Sequence, residues 1–414
     1  MINRLNERIN FLYINRYSKE MKFRIITTLC CVMITIACLA QRRQLQEARA
    51  ILKSGKNFEQ AEKMMTDLLK DTANQSNTRI YDFWLQSVEK QYGAMNEQMY
   101  KKQKVDTVKL FNLTKRIFTV GERLDSLDMI PDKKGRVNLQ YRKDNAERLN
   151  GYRPNLFFGG AYYLRKLQYQ KAFEYFETYI DCINQPLFSD LNLLVSDERI
   201  GEAAYWATYC GYRMNDPVLT LRHAGLARLD STKLDYTLQY VAESWKQLND
   251  DSLYVATLWE GFHKFPTSGY FFPRLIDSYT AKGNYEKALA VADEALAADS
   301  LSELYLFAKS TMLLNLGEYA QSLAYSKKII AQNDQMADAY YNAGTALVNI
   351  ALSMDPRKQK KQIRKKYQMA MPYMETYRRL APQQKDKWAP ALYRIYFNLN
   401  MGKQFDEIDR ILKN

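Results

Sequence analysis

The only two histidines in this 414-residue chain are His223 and His263, forty residues apart. A catalytic or metal-binding histidine needs partners at a fixed spacing, as in the HExxH, CxxC and GxSxG patterns or beside a phosphate-binding glycine loop. None of these patterns occurs in the sequence. We therefore expect both histidines to be structural.

The remaining residue types that could do chemistry also fit structural roles. Asp250 and Asp251 lie together between two predicted helices, where aspartate commonly begins a helix. Gly159 and Gly160 fall inside a predicted helix, where a missing side chain lets another helix approach closely. The sequence thus predicts no catalytic residues, no cofactor and no metal site, and we expect that the protein is not an enzyme.

Charge is concentrated in one run, with seven Lys and Arg between Arg357 and Lys366, in a chain of formal net charge +14. The run fits a solvated, extended helix, or contact with an acidic partner or an anionic membrane surface. No aromatic residue is interleaved for base stacking before Tyr367. We therefore expect no nucleic-acid partner.

Composition indicates which elements position these residues. Apolar residues make up 47% of the chain, with 31 Tyr and 18 Phe, which argues against a disordered chain. The 16 Gly and 10 Pro are few for this length, which favours long helices over a many-turned β-sandwich. Apolar residues fall three and four apart, as in helices that bury one face. The chain is therefore predicted to be all-α.

The helices recur with a fixed period. The stretch GNYEKALAVADEALAADS begins at Gly283 and GEYAQSLAYSKKIIAQND at Gly317, 34 residues later. Small residues such as Ala288 and Ala292 would let the second helix of each unit approach its neighbours. A helical hairpin of this kind leaves one face unburied, so it must stack on another hairpin.

These residues resemble the tetratricopeptide repeat (TPR) family, whose unit favours Gly-x-Tyr-x2-Ala at the start of the second helix. The match is carried by Leu156, Gly160, Tyr163, Tyr169, Ala172, Ala204, Ala207, Leu238, Ala242, Leu258, Gly261, Pro266, Gly283, Tyr285, Gly317, Tyr319, Tyr340, Ala343, Gly344, Leu347, Tyr367, Ala370 and Pro382. The resemblance implies an α-solenoid, a right-handed superhelix of helix-turn-helix hairpins whose first helices line a concave groove.

The period also predicts the domain organisation. It breaks twice, each time by about 14 residues, which indicates two insertions in the array. We assign residues 1–40 to an N-terminal extension plus signal peptide, 41–125 to degenerate hairpins, 126–152 to a linker, 153–384 to the main array with insertions near 186–200 and 352–366, and 385–414 to a C-terminal capping hairpin.

The N-terminal residues resemble a Sec signal peptide: Lys22 and Arg24 precede an apolar run, and small residues lie near Ala40. We expect translation to start at Met21 and cleavage to follow Ala40, giving an exported, periplasmic protein. A lipoprotein anchored at Cys38 is the alternative, and a permanent helical anchor is a weaker interpretation.

Cleavage would leave two cysteines, Cys182 and Cys210. Each falls at a helical position that suits a small buried hydrophobe, although an oxidising compartment would permit a disulfide. The sequence does not decide between these states.

The TPR resemblance implies a partner-binding groove, and most residues at the corresponding positions of this chain are aromatic, a type that contributes much contact area at binding hot spots. Its predicted lining is Phe158, Tyr205, Trp206, Tyr209, Tyr212, Tyr240, Tyr270, Arg274, Tyr341 and Asn342. We therefore expect a scaffold that binds a protein or peptide, in an envelope assembly. A periplasmic glycan- or carbohydrate-binding protein is the alternative, because tyrosines also stack on sugars. The sequence does not indicate an oligomeric state.

Overall fold

The computed structural model describes residue 21 and residues 41–413, and within these all regular secondary structure is helical. The all-α prediction is therefore confirmed for this part of the chain. The chain divides into two compact units, Met1–Asp230 (unit 1) and Ser231–Asn414 (unit 2). The predicted signal peptide, its cleavage site and Cys38 lie outside the described residues.

Unit 1 contains ten helices among its described residues. They are α1 (41–54), α2 (Phe58–Leu68), α3 (Thr78–Tyr100), α4 (Thr107–Asp128), α5 (Arg142–Arg165), α6 (Tyr169–Asp181), α7 (Leu193–Ser196), α8 (Ile200–Arg213), α9 (Pro217–Arg222) and α10 (Ala224–Ala227). Short 3₁₀ helices span Thr72–Asn74 and Pro186–Leu191. Successive long helices from α2 to α6 pack on one another, and α6 packs on α8 across the first insertion, so the unit is built from hairpins.

Unit 2 continues the pattern with ten helices in its described part. They are α11 (Leu234–Gln247), α12 (Asp251–Lys264), α13 (Phe271–Thr280), α14 (Tyr285–Ala298), α15 (Glu303–Asn315), α16 (Tyr319–Gln332), α17 (Ala337–Leu352), α18 (Lys360–Leu380), α19 (Lys385–Leu399) and α20 (Gly402–Lys413). Each again packs on the next in the chain.

The 34-residue period is visible in the backbone as well as in the sequence. Left-handed residues follow the first helix of four successive hairpins at intervals of 34, namely Asn215, Asn249, Gly283 and Gly317, with φ between 56° and 82°. Glycine and asparagine tolerate this conformation better than other residues because it crowds Cβ against the backbone. The turn between the two helices is thus a repeated local structure.

The residue after each of these turns begins the second helix. Asp216, Asp250 and Asn284 each accept a hydrogen bond from the backbone N–H three residues later, at 2.9, 2.9 and 3.2 Å. Such a cap satisfies one of the unpaired donors at a helix start. Asp250 therefore has the structural role predicted for it.

Small residues allow close helix packing, as predicted for Gly159 and Gly160. A Cβ added at Gly159 would lie 2.6 Å from the Tyr175 ring, and one at Gly160 would lie 2.7 Å from the Phe176 ring. On α14, Ala288, Ala292 and Ala295 are all fully buried.

The two insertions fold differently. The first packs back on unit 1: Leu187, Phe188 and Leu193 are buried, and the Phe188 ring lies 6.2 Å from that of Phe118 on α4. The second extends α18 at its N-terminal end and is mostly exposed. One insertion is therefore part of a core, and the other is surface.

The predicted linker, residues 126–152, is only partly irregular, since α5 already begins at Arg142. The Arg142 guanidinium donates two hydrogen bonds of 2.8 Å to the Asp125 carboxylate on α4. This pair closes the loop of residues 129–141 between the two helices. Cys182 and Cys210 are buried free thiols.

No helix within the described residues is long and apolar enough to cross a bilayer.

Candidate functional site

A cleft of about 570 Å³ opens in unit 1 between α5 and the first insertion. The α5 wall supplies Asn150, Arg153, Pro154 and Phe158, and Tyr179 of α6 contributes to the floor. The opposite wall is formed by the insertion, from Leu193 to Arg199. The segment that breaks the 34-residue period thus builds one side of the cleft.

A buried network of charged and polar groups fixes the shape of the cleft. The Arg153 side chain is only 4% exposed, and its Nη2 lies 2.7 Å from Asp197 Oδ2. The Tyr179 hydroxyl donates to the same oxygen at 2.5 Å, and the Arg153 guanidinium lies 4.2 Å from the centre of the Tyr179 ring. Because the pair is buried and multiply bonded, removing either partner would leave an uncompensated charge.

The Asp197 carboxylate is held ionised by its neighbours. Burial acts to raise its pKa, but the hydrogen bonds from Tyr179 and the Arg199 backbone N–H, together with the Arg153 charge, lower the pKa below its ordinary value. Burial and the hydrogen bond to Asp197 raise the pKa of Tyr179. The network therefore keeps its charges at neutral pH and remains a rigid base for the cleft.

Two polar groups at the cleft lack their usual hydrogen-bond partner within the protein. Arg153 Nε is buried without a hydrogen-bond partner. Pro154 lies inside α5 and has no backbone N–H, so the Asn150 carbonyl four residues earlier lacks its helical donor. The carbonyl is thus an acceptor that a bound molecule could use.

Apolar groups flank the polar floor. Phe158 is 47% exposed on the α5 wall, and Leu193 of the insertion lines the opposite wall. The exposed guanidinium of Arg199 lies 5.7 Å from the centre of the Phe158 ring and forms no ion pair with any described residue. The cleft therefore offers apolar contact beside an unpaired cation.

A stripe of side chains continues from the cleft along α8. Residues 199, 202, 206, 209 and 213 lie within an arc of about 80° on the helix surface, because an α-helix turns 100° per residue. We call Arg199, Glu202, Trp206, Tyr209 and Arg213 the α8 stripe. Trp206 Nε1 donates to Glu202 at 3.4 Å, and Arg213 donates to the Tyr209 hydroxyl at 2.6 Å.

Four of the predicted groove residues of unit 1 reach the surface. Phe158 borders the cleft, Trp206 and Tyr209 belong to the α8 stripe and are half-buried, and Tyr212 is 37% exposed. Tyr205 is only 5% exposed and packs against the Trp206 ring at 4.9 Å. The prediction of Tyr205 as a groove residue is therefore corrected. Tyr205 lies one position before Trp206 on α8, so its side chain faces the core.

Two predicted groove residues of unit 2, Tyr270 and Arg274, form a compact cluster with Glu243. The Tyr270 hydroxyl donates to Glu243 at 2.7 Å, and Arg274 stacks on the Tyr270 ring with its guanidinium 3.7 Å from the ring centre. Arg274 Nε also lies 3.4 Å from Glu243. This Tyr270–Arg274–Glu243 cluster is half-buried, and Tyr240 on α11 is half-buried as well.

The last two predicted residues lie on α17. Tyr341 is half-buried, with its ring 5.1 Å from that of Tyr377. Asn342 is only 3% exposed and donates to Thr311 Oγ1 at 2.9 Å, so it joins two helices. Its prediction as a surface contact is corrected, because this position faces the preceding hairpin.

Sequence reasoning missed Arg153, Tyr179, Asp197 and Arg199, which define the cleft. They were missed because the insertion falls outside the repeat register, so its partners could not be read from periodicity. One signal was present: a proline at position 154 within a helical pattern frees a backbone carbonyl.

Neither histidine is part of the cleft. His223 is buried against the Phe173 ring, with Nε2 3.8 Å from Glu177, and burial lowers its pKa. His263 Nε2 lies 2.7 Å from Glu294. Among the described residues no three His, Cys, Asp or Glu side chains are grouped as metal ligands.

Comparisons with known proteins find similarity at the level of structure. No family model matches the chain, and no curated protein matches it. The C-terminal part of a TPR repeat-containing protein from Cytophaga hutchinsonii is 14% identical, with a TM-score of 0.41, over 61% of this chain and 92% of that one.

Two other solved structures are similar over more of the chain. The P58(IPK) TPR domain is 12% identical with a TM-score of 0.25, over 88% of this chain and 99% of that one. The Rap conjugation gene regulator of plasmid pLS20, in complex with the Phr* peptide, is 15% identical with a TM-score of 0.25. The match covers 90% of this chain and 96% of that one.

Proposed function

We propose that this protein is a non-enzymatic interaction scaffold that binds a peptide segment of a partner protein across the cleft and the α8 stripe of unit 1. One observation carries the proposal: Arg199 belongs to both features, so they form one continuous surface. A pocket alone would suit a small molecule, whereas a cleft continued by a stripe suits an extended chain.

The dimensions of this surface match a short peptide. Arg199 to Arg213 spans about 21 Å along the helix axis at 1.5 Å per residue. An extended chain advances about 3.3 Å per residue, so about six residues would cover the stripe. Phe158 would receive an apolar side chain at one end of the segment.

The chemistry of the surface favours a backbone ligand. The Asn150 carbonyl, which Pro154 deprives of its helical donor, could accept a hydrogen bond from the backbone N–H of an extended peptide. Arg199 has no acidic partner among the described residues and stacks beside Phe158, an arrangement suited to a carboxylate or carbonyl of the ligand. Trp206 and Tyr209 supply the aromatic area that binding hot spots use.

The setting of this interaction is also a proposal. A cleaved signal peptide ending at Ala40 would place the scaffold in the periplasm, where the partner would be another envelope protein. The Tyr270–Arg274–Glu243 cluster in unit 2 would serve as a separate contact for the same assembly, with Arg274 as its hot spot.

The partner class can be tested by selecting binders from a displayed random-peptide library on the mature chain, residues 41–414, and by probing the same chain on a glycan array. We expect peptides with micromolar or tighter affinity and no glycan signal. Truncating Trp206 or Arg199 to Ala should weaken the selected peptides by about 2 kcal/mol each, roughly thirtyfold.

A matched control is Phe397→Ala, because Phe397 is 64% exposed but lies on α19 of unit 2. This variant should bind the peptides as the wild type does. Glycan binding that is lost in the Trp206 variant, without any peptide binding, would replace the proposed function by carbohydrate recognition.

A further inference from the structure

A second surface, in unit 2, is formed by the seven Lys and Arg of the basic segment, Arg357–Lys366. No acidic residue occurs between positions 356 and 374. Six of the seven side chains are exposed, and Lys366 is half-buried. None of the seven forms an ion pair within the described chain. The segment therefore concentrates positive charge that the unit itself does not neutralise.

Some of the other cations of unit 2 have an acidic partner. Lys309 Nζ lies 2.6 Å from Asp293, and Lys282 Nζ lies 2.7 Å from Asp251. On α18 itself, Arg378 Nη2 lies 2.6 Å from Glu407. The absence of acidic partners is thus a property of the basic segment and not of its helix as a whole.

Four of the five basic-segment cations within α18 lie on one face. At 100° per residue, four side chains fall within an arc of about 140°, and the buried Tyr367, Ala370 and Met374 lie on another side of the helix. The four are Lys360, Lys361, Arg364 and Lys365. Packing of α18 against its neighbours therefore leaves this face free.

Local helix energetics do not explain the placement of these cations. They occupy the first turns of α18, where the helix dipole disfavours positive charge. The first turn contains no acidic residue, and the N-cap residue Gln359 makes no side-chain cap. Asp355, the acid nearest to the segment in sequence, accepts a hydrogen bond from the Arg357 backbone N–H. An external anionic surface would relieve this repulsion.

We propose that the basic segment docks the protein on an anionic lipid surface. Five of the seven cations are lysines, whose compact charges suit many exchangeable headgroups better than one fixed, bidentate site. The segment has no aromatic anchor before Tyr367, which is buried, whereas a protein interface commonly uses such anchors. Leu352, 51% exposed at the end of α17, adds an apolar contact close by in the chain.

The test is co-sedimentation of the mature chain, residues 41–414, with vesicles of equimolar phosphatidylcholine and phosphatidylglycerol, against vesicles of phosphatidylcholine alone. Each Lys or Arg near such a surface contributes about fivefold in partition. Changing Lys360, Lys361, Arg364 and Lys365 to Gln should therefore lower partition several-hundredfold, and added salt should weaken the wild type.

The control variant changes Lys53, Lys56, Lys133 and Lys134 to Gln. These four are exposed residues of unit 1, so the net charge falls equally. This variant should keep most of the binding. Circular dichroism of both variants would show that each is folded, since all eight positions are on the surface.

Three outcomes would overturn the proposal. The wild type could bind neutral vesicles as well as anionic ones, or the control variant could lose as much binding as the α18 variant. Binding to polyglutamate without binding to anionic vesicles would instead identify an acidic protein partner. The result does not depend on the peptide surface of unit 1, which contains none of these residues.

Discussion

At the scale of single residues, a few positions adopt conformations or charge states that their chemistry disfavours. Leu167 is the clearest conformational case. It follows α5 and has a φ of 58°. It precedes Asn215 by 48 residues, which is one 34-residue period plus the insertion of about 14 residues. It occupies the turn position that Asn or Gly occupies in later hairpins, and its side chain is 68% exposed. A left-handed leucine stores strain because its Cβ crowds the backbone.

Replacing Leu167 with Gly should therefore stabilise the protein by about 1 kcal/mol, since little burial is lost and the strain is relieved. Urea unfolding would measure the change. Leu301→Gly is the control: Leu301 is 71% exposed in a turn but is not among the residues of positive φ, so this variant should be slightly destabilised. Equal effects of the two substitutions would show that Leu167 is not strained.

Glu122 on α4 is the clearest case of a disfavoured charge. Burial, and then the charge of Asp181, raise its pKa from 4.5 to about 7. The folded state therefore holds a proton that the unfolded state releases above pH 4.5. Stability attributable to this group should be greatest below pH 4.5, fall as pH rises, and be fully lost above pH 7.

Glu122→Gln should remove this dependence, and above pH 7 it should be more stable than the wild type by up to about 3 kcal/mol. Below pH 4.5 the two proteins should differ little. Urea unfolding from below pH 4.5 to above pH 7 would measure the stability of both proteins. Glu147→Gln, at an exposed position, is a control that makes the same change of charge. A pH profile that Glu122→Gln leaves unaltered would contradict the assignment.

Residue-level prediction from sequence succeeded where a local rule applies. Asp250 at a helix start and Gly159 and Gly160 in a helix contact follow from capping and size alone. Tyr205 and Asn342 were misplaced because one step along a helix turns a side chain by 100°, and no sequence rule fixes the register of a degenerate repeat to that precision.

At the scale of elements, the hairpins depend on backbone approach between particular helices. Gly211 on α8 faces the start of α9, and a Cβ there would lie 2.4 Å from the Thr220 backbone nitrogen and 2.7 Å from the Leu219 carbonyl carbon. Backbone atoms cannot move aside as a flexible side chain can. The α8–α9 hairpin therefore requires glycine at this position.

Gly211→Ala should destabilise the protein by about 1–3 kcal/mol, because α8 and α9 must separate. Gly225→Ala on α10 is matched to it, since a Cβ at Gly225 would meet nothing within 4 Å. The control should be neutral or slightly stabilised. Thermal unfolding of both variants measures the difference. A Gly211→Ala variant as stable as the wild type would show that the two helices are not packed this closely.

The elements also show what periodicity can and cannot predict. Spacing of 34 residues indicated the hairpins from α8 to α17, and Asn215, Asn249, Gly283 and Gly317 repeat the same turn. The first insertion could not be assigned, because its buried Phe188 packs on α4, which is far away in sequence. The cleft depends on that packing and was therefore not predictable.

At the scale of the whole molecule, the proposal places an exported scaffold in the periplasm. Expression of the full chain in a Gram-negative host should give a mature protein that begins at Gln41, because a Sec signal peptide is cleaved after small residues such as Ala40. N-terminal sequencing of the periplasmic fraction is the measurement. A chain that begins with acylated Cys38 would instead identify a lipoprotein.

The central claim is that the cleft and the α8 stripe form one peptide-binding surface. The most direct measurement replaces Phe158, or separately Tyr209, with a photo-crosslinking benzoylphenylalanine and maps by mass spectrometry where each joins a peptide selected on the wild type. We predict that both positions crosslink the same peptide, position 158 near one end and position 209 near the other. Crosslinking from neither position, or from only one of them, would contradict a continuous surface.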